Sequence, residues 1–336
     1  MKTNLILFFF ISFSLCGCND SREFKEVKKL SEYPKTEFLP TLENKISKDK
    51  NAVYCVTLLY AWDEVRKVIK SPLQINSKKN TQDLVLFHNS TSFKNVLNAD
   101  ENSSSVNVEG DRITAKAEFD KSLPFEFDLR GFNNKLTFNG TKVASFGSFG
   151  GRGDVYKTID ILYYKNDNEF IIKLLPKDQQ HEIILFKTKK QFKNFAQMNS
   201  ELAKKKSLGK KEQKQQSKYW KYYLQDEDEV IIPKFNFNIE TNYQNIEGNQ
   251  INTSKNNYVI EKAYQRTAFI LDEKGAIIES EVIIEEVVLD EMEEQEKPKP
   301  KKMRFDKPFF ILLKKTTAKN PYFVLLANNA ELMVKE

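Results

Sequence analysis

Three cysteines and two histidines are the scarcest reactive side chains in this 336-residue chain, and their placement limits its chemistry. Cys16 and Cys18 close an opening segment that carries Lys2, an apolar run from Leu5 to Phe13, and then Leu15-Cys16-Gly17-Cys18. One positive charge, a short apolar core and a small residue just before a cysteine make a secretory signal. The run is short for a bilayer span, and no second apolar stretch of that kind follows. Cys55 lies inside Asn51-Ala52-Val53-Tyr54-Cys55-Val56-Thr57-Leu58-Leu59, so it reads as a buried, inert thiol. His88 and His181 stand in ordinary contexts, with no Cys/His ligand spacing for a metal. No G-x-S-x-G, H-E-x-x-H, P-loop or dinucleotide glycine pattern is present. Eleven glycines in the whole chain also argue against phosphate-cradling loops. The expectation is a protein that is not an enzyme and needs no cofactor.

The formal charge of +6 is unevenly spread. Lys204, Lys205, Lys206, Lys210, Lys211, Lys214 and Lys218 cluster in one stretch, and acids cluster between Glu279 and Glu296. The lysine run reads as a solvated helical face with an auxiliary contact to anionic lipid, not as a nucleic-acid site. Arg152-Gly153-Asp154 has the form of an integrin triplet, but it follows the glycine-rich Phe149-Gly150-Gly151 and reads as a chance match.

These residues must be positioned by a β-rich chain without internal repeats. Residues 19–48 are polar, with Pro34 and Pro40, and read as a tether. Val53 to Ile69 reads as a helix, because Leu58, Leu59, Trp62, Val65 and Ile69 recur at helical spacing. Strands are predicted at 125–129, 135–138, 159–164, 170–175, 182–186, 230–232, 235–239, 264–271, 309–314 and 322–327. Turns at Lys165-Asn166-Asp167-Asn168 and Pro176-Lys177-Asp178 separate the central three. A stretch near 189–223, rich in Lys, Gln, Ala and Leu, reads as helical. The fold class is therefore α+β, dominated by mixed and antiparallel sheets.

Two resemblances add to this. Leu15-Cys16-Gly17-Cys18 resembles the bacterial lipoprotein box. The resemblance implies cleavage between Gly17 and Cys18 and attachment of diacylglycerol to the Cys18 thiol, followed by acylation of its amine, with palmitate as a candidate chain. Residues 1–17 are then a signal peptide, 18–48 a lipidated tether and 49–336 one domain. Cys55 would be left without an intrachain disulfide partner. Membrane lipid is a partner through Cys18, in the cell envelope, with Asn19 favouring the outer membrane by resemblance to some sorting rules.

The last hundred residues resemble the serpin family. The residues that carry this are Ile260-Glu261-Lys262-Ala263, then Leu271-Asp272-Glu273-Lys274-Gly275, a charged loop, Phe305-Asp306-Lys307-Pro308-Phe309-Phe310-Ile311-Leu312-Leu313, and Asn320-Pro321-Tyr322-Phe323-Val324. Ile231-Ile232-Pro233-Lys234-Phe235 resembles a further strand of that family, and residues 155–336 share its order of pieces. The resemblance implies a serpin-like α+β fold with a long exposed loop at about 276–304. It also implies a hinge at Gly275 and Ala276 and a reactive bond near Leu289-Asp290. The chain departs from the family at Cys55-Val56-Thr57-Leu58, where serpins have serine-proline-x-serine, and around Ala115 to Leu123. After the hinge it has Ile277, Ile278 and Glu279 where inhibitory members have small residues. The expected function is a non-catalytic protein-binding or structural module. The alternative is a serine-protease inhibitor that acts by loop cleavage and insertion, with the loop contacting a serine protease or another protein.

Overall fold

The computed structural model describes residues 22–70, 74–75, 82–109, 112–150, 157–254, 256–278 and 299–336. Lys28–Lys29 (β1), Thr36–Phe38 (β2) and Asn51–Cys55 (β3) precede helix Thr57–Ile69 (α1). Gln74–Ile75 (β4) and helix Gln82–Asn89 (α2) lead to a hairpin of Ser103–Glu109 (β5) and Arg112–Glu118 (β6). Next come Lys121–Pro124 (β7), Arg130–Phe138 (β8), Thr141–Phe149 (β9), Ile159–Asn166 (β10), Glu169–Leu174 (β11) and His181–Lys187 (β12). Helix Phe195–Glu212 (α3) is followed by a 3-10 segment at Gln216–Tyr222. The chain then runs through Glu229–Pro233 (β13), Phe235–Asn242 (β14), Gln250–Asn252 (β15), Asn257–Val259 (β16), Tyr264–Asp272 (β17) and Gly275–Ile278 (β18). Lys302–Arg304 (β19), Phe309–Lys315 (β20) and Phe323–Ala327 (β21) close it.

The α+β expectation holds: the chain builds mixed sheets with few helices. A seven-stranded sheet has the order β10-β11-β12-β20-β21-β3-β2, and a five-stranded sheet the order β1-β14-β17-β18-β7. A third sheet, β19-β13-β9-β8, lies beside them. β3, β12 and β21 are buried along their whole length, which is why they read as continuous apolar runs and not as alternation. Aromatic contacts join the layers. Phe269 of β17 stacks on Phe323 of β21 with ring centroids 4.7 Å apart, and Phe235 of β14 meets Phe309 of β20 at 6.2 Å. Ring pairs of this kind add to what burial alone supplies.

α1 forms where the sequence places Leu58, Leu59 and Trp62 on one face, and it ends at Lys70, whose φ of 51° is left-handed. α3 starts at Asn194, whose side chain accepts the Gln197 N–H at 2.9 Å, and it buries Phe195, Met198, Leu202 and Gly209. A Cβ on Gly209 would lie 2.0 Å from the Leu162 carbonyl oxygen, so glycine lets α3 approach β10 closely.

Several sequence expectations need correction. Of the stretch read as a tether, residues 22–48 are part of the fold. β2 pairs in parallel with β3, and Phe38, Leu39 and Leu42 are in the core. These apolar residues are too few to register in composition, yet they fill the end of the large sheet. The helix read from Val53 starts only at Thr57, because Asn51–Cys55 pairs with β21. Residues 125–129 connect β7 to β8 and are not a strand, although Phe125 bridges Pro176. The helical stretch at 189–223 is divided between α3 and the 3-10 segment. The loop read at 276–304 is narrower, since its two ends are β18 and β19.

Candidate functional site

β17 alternates, with Gln265, Thr267, Phe269 and Leu271 buried on the inner side. One edge pairs with β14 along its whole length, from Phe235↔Leu271 to Asn242↔Tyr264. The other edge pairs with β18 only at Ile270, Leu271 and Asp272. Among the described residues, no strand pairs with that edge over Tyr264 to Phe269. Beside it lies a cleft of about 1640 Å³, lined by α1 through Leu58 and Trp62, by β6 through Ala115 and Ala117, by Phe119, and by Ile278 of β18. An unpaired strand edge offers a row of backbone donors and acceptors to another extended chain.

Gly275 and Ala276 sit at the head of this slot. β18 is antiparallel to both neighbours, with Ala276 opposite Leu271 on β17 and opposite Leu123 on β7. Gly275 has φ +133°, and a Cβ there would stand 2.3 Å from the Leu123 carbonyl oxygen and 2.7 Å from the Pro124 Cα. Only glycine meets both conditions. The turn before it is tied down from the opposite side, since the Phe125 and Leu129 amides donate to the carbonyls of Lys274 and Glu273 at 2.8 Å each. Ala276 and Ile278 are buried. Ile277 and Ile278 are seated in the ladder, opposite Ser122 and Lys121.

Two polar groupings line the slot. In the first, the Gln265 amide donates to Thr57 Oγ1 at 2.5 Å and to the Cys55 carbonyl at 3.3 Å, and its oxygen accepts the Tyr243 hydroxyl at 2.5 Å. This ties the start of α1 to β17 where the sequence departs from serine-proline-x-serine. Burial pushes the neighbouring Cys55 thiol up to about 11, so it stays protonated and inert. Burial likewise raises the Tyr243 hydroxyl well above its usual range.

The second grouping lies under Lys121, the β7 partner of Ile278. The Lys121 ammonium is 2.9 Å from Glu101 and 3.2 Å from Asp178. His181 Nε2 is 2.6 Å from the same Glu101 oxygen, and Nδ1 is 3.2 Å from the Tyr322 hydroxyl. Nε2–H therefore donates to the carboxylate, while Tyr322 donates to Nδ1. Burial lowers the His181 pKa, and the Lys121 charge lowers it further. Burial alone would raise Glu101. The Asn98 amide, Lys121 and His181 outweigh it and bring Glu101 down to about 2. A carboxylate–imidazole–hydroxyl chain is an acid–base arrangement, but the His181 side chain has no exposed surface, so no substrate atom reaches it. Its role is to pin β7, β12 and β21 together.

Sequence reasoning singled out Gly275 and Ala276, which lie in the β17–β18 turn and the start of β18, and did not single out Gln265, Thr267 or Glu101, which line the cleft. Two polar residues on the inward alternation of an otherwise apolar strand, Gln265 and Thr267, were the signal. Cys18, Leu289, Asp290 and the Arg152-Gly153-Asp154 triplet lie outside the described residues.

No family model and no curated protein matches the chain. Among solved structures it is similar to serine protease inhibitor (serpin)-12 of Manduca sexta, at 13% identity, over 61% of this chain and 52% of that one, with a TM-score of 0.34. It is also similar to a thyroxine-binding globulin complex with thyroxine, at 15% identity over 65% and 55%, TM-score 0.32. A third is mouse protein-Z dependent protease inhibitor, at 14% identity over 64% and 54%, TM-score 0.34. The chain spans about half the length of each of these structures.

Proposed function

We propose that this is a bacterial envelope protein, lipid-anchored through Cys18, that serves as a non-catalytic protein-binding module on a divergent serpin-like fold. Its binding element is the half-filled slot. Three ladder positions of β17 are taken by β18, and the edge from Tyr264 to Phe269 stands beside an open cleft. That single observation supports an extended segment of a partner as the ligand, added as a strand.

The chain's own continuation fits the slot poorly. Carried on at the register of β18 and β7, Glu279 would oppose Asp120 and Glu281 would oppose Glu118. Like charges directly opposite destabilise a ladder. On the β17 side Glu281 would meet Arg266, whose opposite charge offsets one of these two oppositions. A partner segment with a small or basic side chain at the first position and a small one at the second meets no such opposition.

One observation favours the second reading, protease inhibition by loop insertion. β18 already occupies the first positions that a cut loop would have to take, Ile277 and Ile278 included. The experiment follows both readings. A ten-residue peptide alternating valine with threonine or lysine is titrated onto the intact protein while the melting temperature is recorded. In parallel, serine proteases are incubated with the protein and run on denaturing gels. Binding raises the melting temperature and leaves no covalent complex. A peptide without effect overturns the binding reading, and a stable complex establishes inhibition in its place.

A further inference from the structure

The segment preceding β1 crosses β14 and reaches the β17–β18 turn beside the slot. Asn236 of β14 holds it twice, accepting the Lys25 amide at 3.1 Å and donating to the Glu23 carbonyl at 3.0 Å. Asn238 donates to the Lys25 carbonyl at 2.9 Å. β1 then continues in parallel along β14, with Lys28 opposite Ile239 and Lys29 opposite Glu240.

Two rungs carry this strap past β14 to β17. The Arg22 guanidinium lies 2.8 Å from Asp272 and 3.3 Å from the Gly275 carbonyl, and both side chains of the ion pair are largely buried. Asp272 also accepts the Lys274 amide at 2.9 Å, so one carboxylate ties the β17–β18 turn to the strap. In the second rung, Asn238 passes from the Lys25 carbonyl to the Arg266 guanidinium. Arg22 and Lys25 therefore bear on the two parts of β17 that flank the boundary between its filled and its open edge.

We propose that residues 22–29 are a strap that holds β18 seated against β17, and so sets how far the slot is filled. This rests on the reading of the β17 edge as the binding element, and it assigns that site a control. Charge-assisted, part-buried contacts are the stronger hydrogen bonds, and here they add to the two ladders that hold this four-residue strand. Cys18 stands four residues before Arg22, a reach of at most about 14 Å. A load on the amino terminus would thus be delivered at the β17–β18 turn.

Hydrogen exchange on the full chain tests this. In Arg22→Ala, the β18 amides should exchange about tenfold faster or more, while β12 and β20 stay unchanged. Arg22→Lys, which keeps the charge but replaces the planar guanidinium with an ammonium of different reach, should fall between. β18 exchange equal to wild type in folded Arg22→Ala overturns the strap. If that variant does not fold, Arg22→Gln removes the charge with less loss of side-chain volume, and unchanged β18 exchange there overturns it equally. Failure of the binding reading looks different: the peptide then leaves the wild-type melting temperature unmoved, whatever β18 does on losing Arg22.

Discussion

At the residue scale, the slot's stability is tied to two groups whose ordinary titration is displaced. His181 is held below its usual 6.5 by burial and by Lys121, and Glu101 is held down at about 2 against a usual 4.5. Both folded values lie below the unfolded ones, so in each interval the unfolded chain binds more protons. Stability should therefore fall in two stages on acidification, first as the pH drops below about 6.5 and again from 4.5 towards 2. Urea unfolding across that range checks it, and Glu101→Gln should flatten the lower stage. Gly275 gives a second prediction. With φ +133° and a β7 carbonyl where a Cβ would go, Gly275→Ala should cost at least about 2 kcal/mol, read as a lower urea midpoint. The sequence made Gly275 visible because a turn glycine after two acids and a lysine is local information. His181, Glu101 and Tyr322 were not visible, because their meeting joins positions 80 and 141 residues apart.

At the scale of elements, period and punctuation found most strands from β10 to β21, where apolar runs are bounded by turns. They misjudged β2 and β3: β3 is buried by pairing with the distant β21 and β2 by pairing with β3, not by any periodicity of their own. The chain after the loop re-enters at Lys301, fully buried, with its ammonium 2.6 Å from Asp228 and its amide 2.6 Å from the same carboxylate. Nothing in Lys299-Pro300-Lys301-Lys302 separates that lysine from its exposed neighbours Lys299 and Lys302. Asp228→Ala should cost about 3–5 kcal/mol, since it leaves a buried ammonium unpaired. Denaturant unfolding measures it, and an unchanged midpoint would remove Lys301 as the anchor of the return strand. A further prediction concerns the two acids after β18. If charge opposition keeps the loop out of the slot, the loop-cut Glu279→Ala, Glu281→Ala protein should melt higher than the loop-cut parent. Equal melting would mean that something other than those acids closes the slot.

At the scale of the molecule, we propose that lipid anchoring at Cys18, the strap and the partly filled sheet act together. The anchor is checked by mass spectrometry of the mature chain from a bacterial host. It should begin at Cys18 and carry acyl mass, and Cys18→Ser should lack that mass. The α+β class was legible throughout the sequence, but the slot was not, because an open edge is a property of what fails to pair. The central claim is that this slot receives a partner and is not filled by the chain's own loop. The melting temperature before and after a single cut near Leu289 tests that most directly. The account predicts a change of no more than about 2 °C, because β18 stays where it is and the acids behind it stay out. A rise of about 10 °C or more would mean that the cut loop completes the sheet, and it would contradict the account.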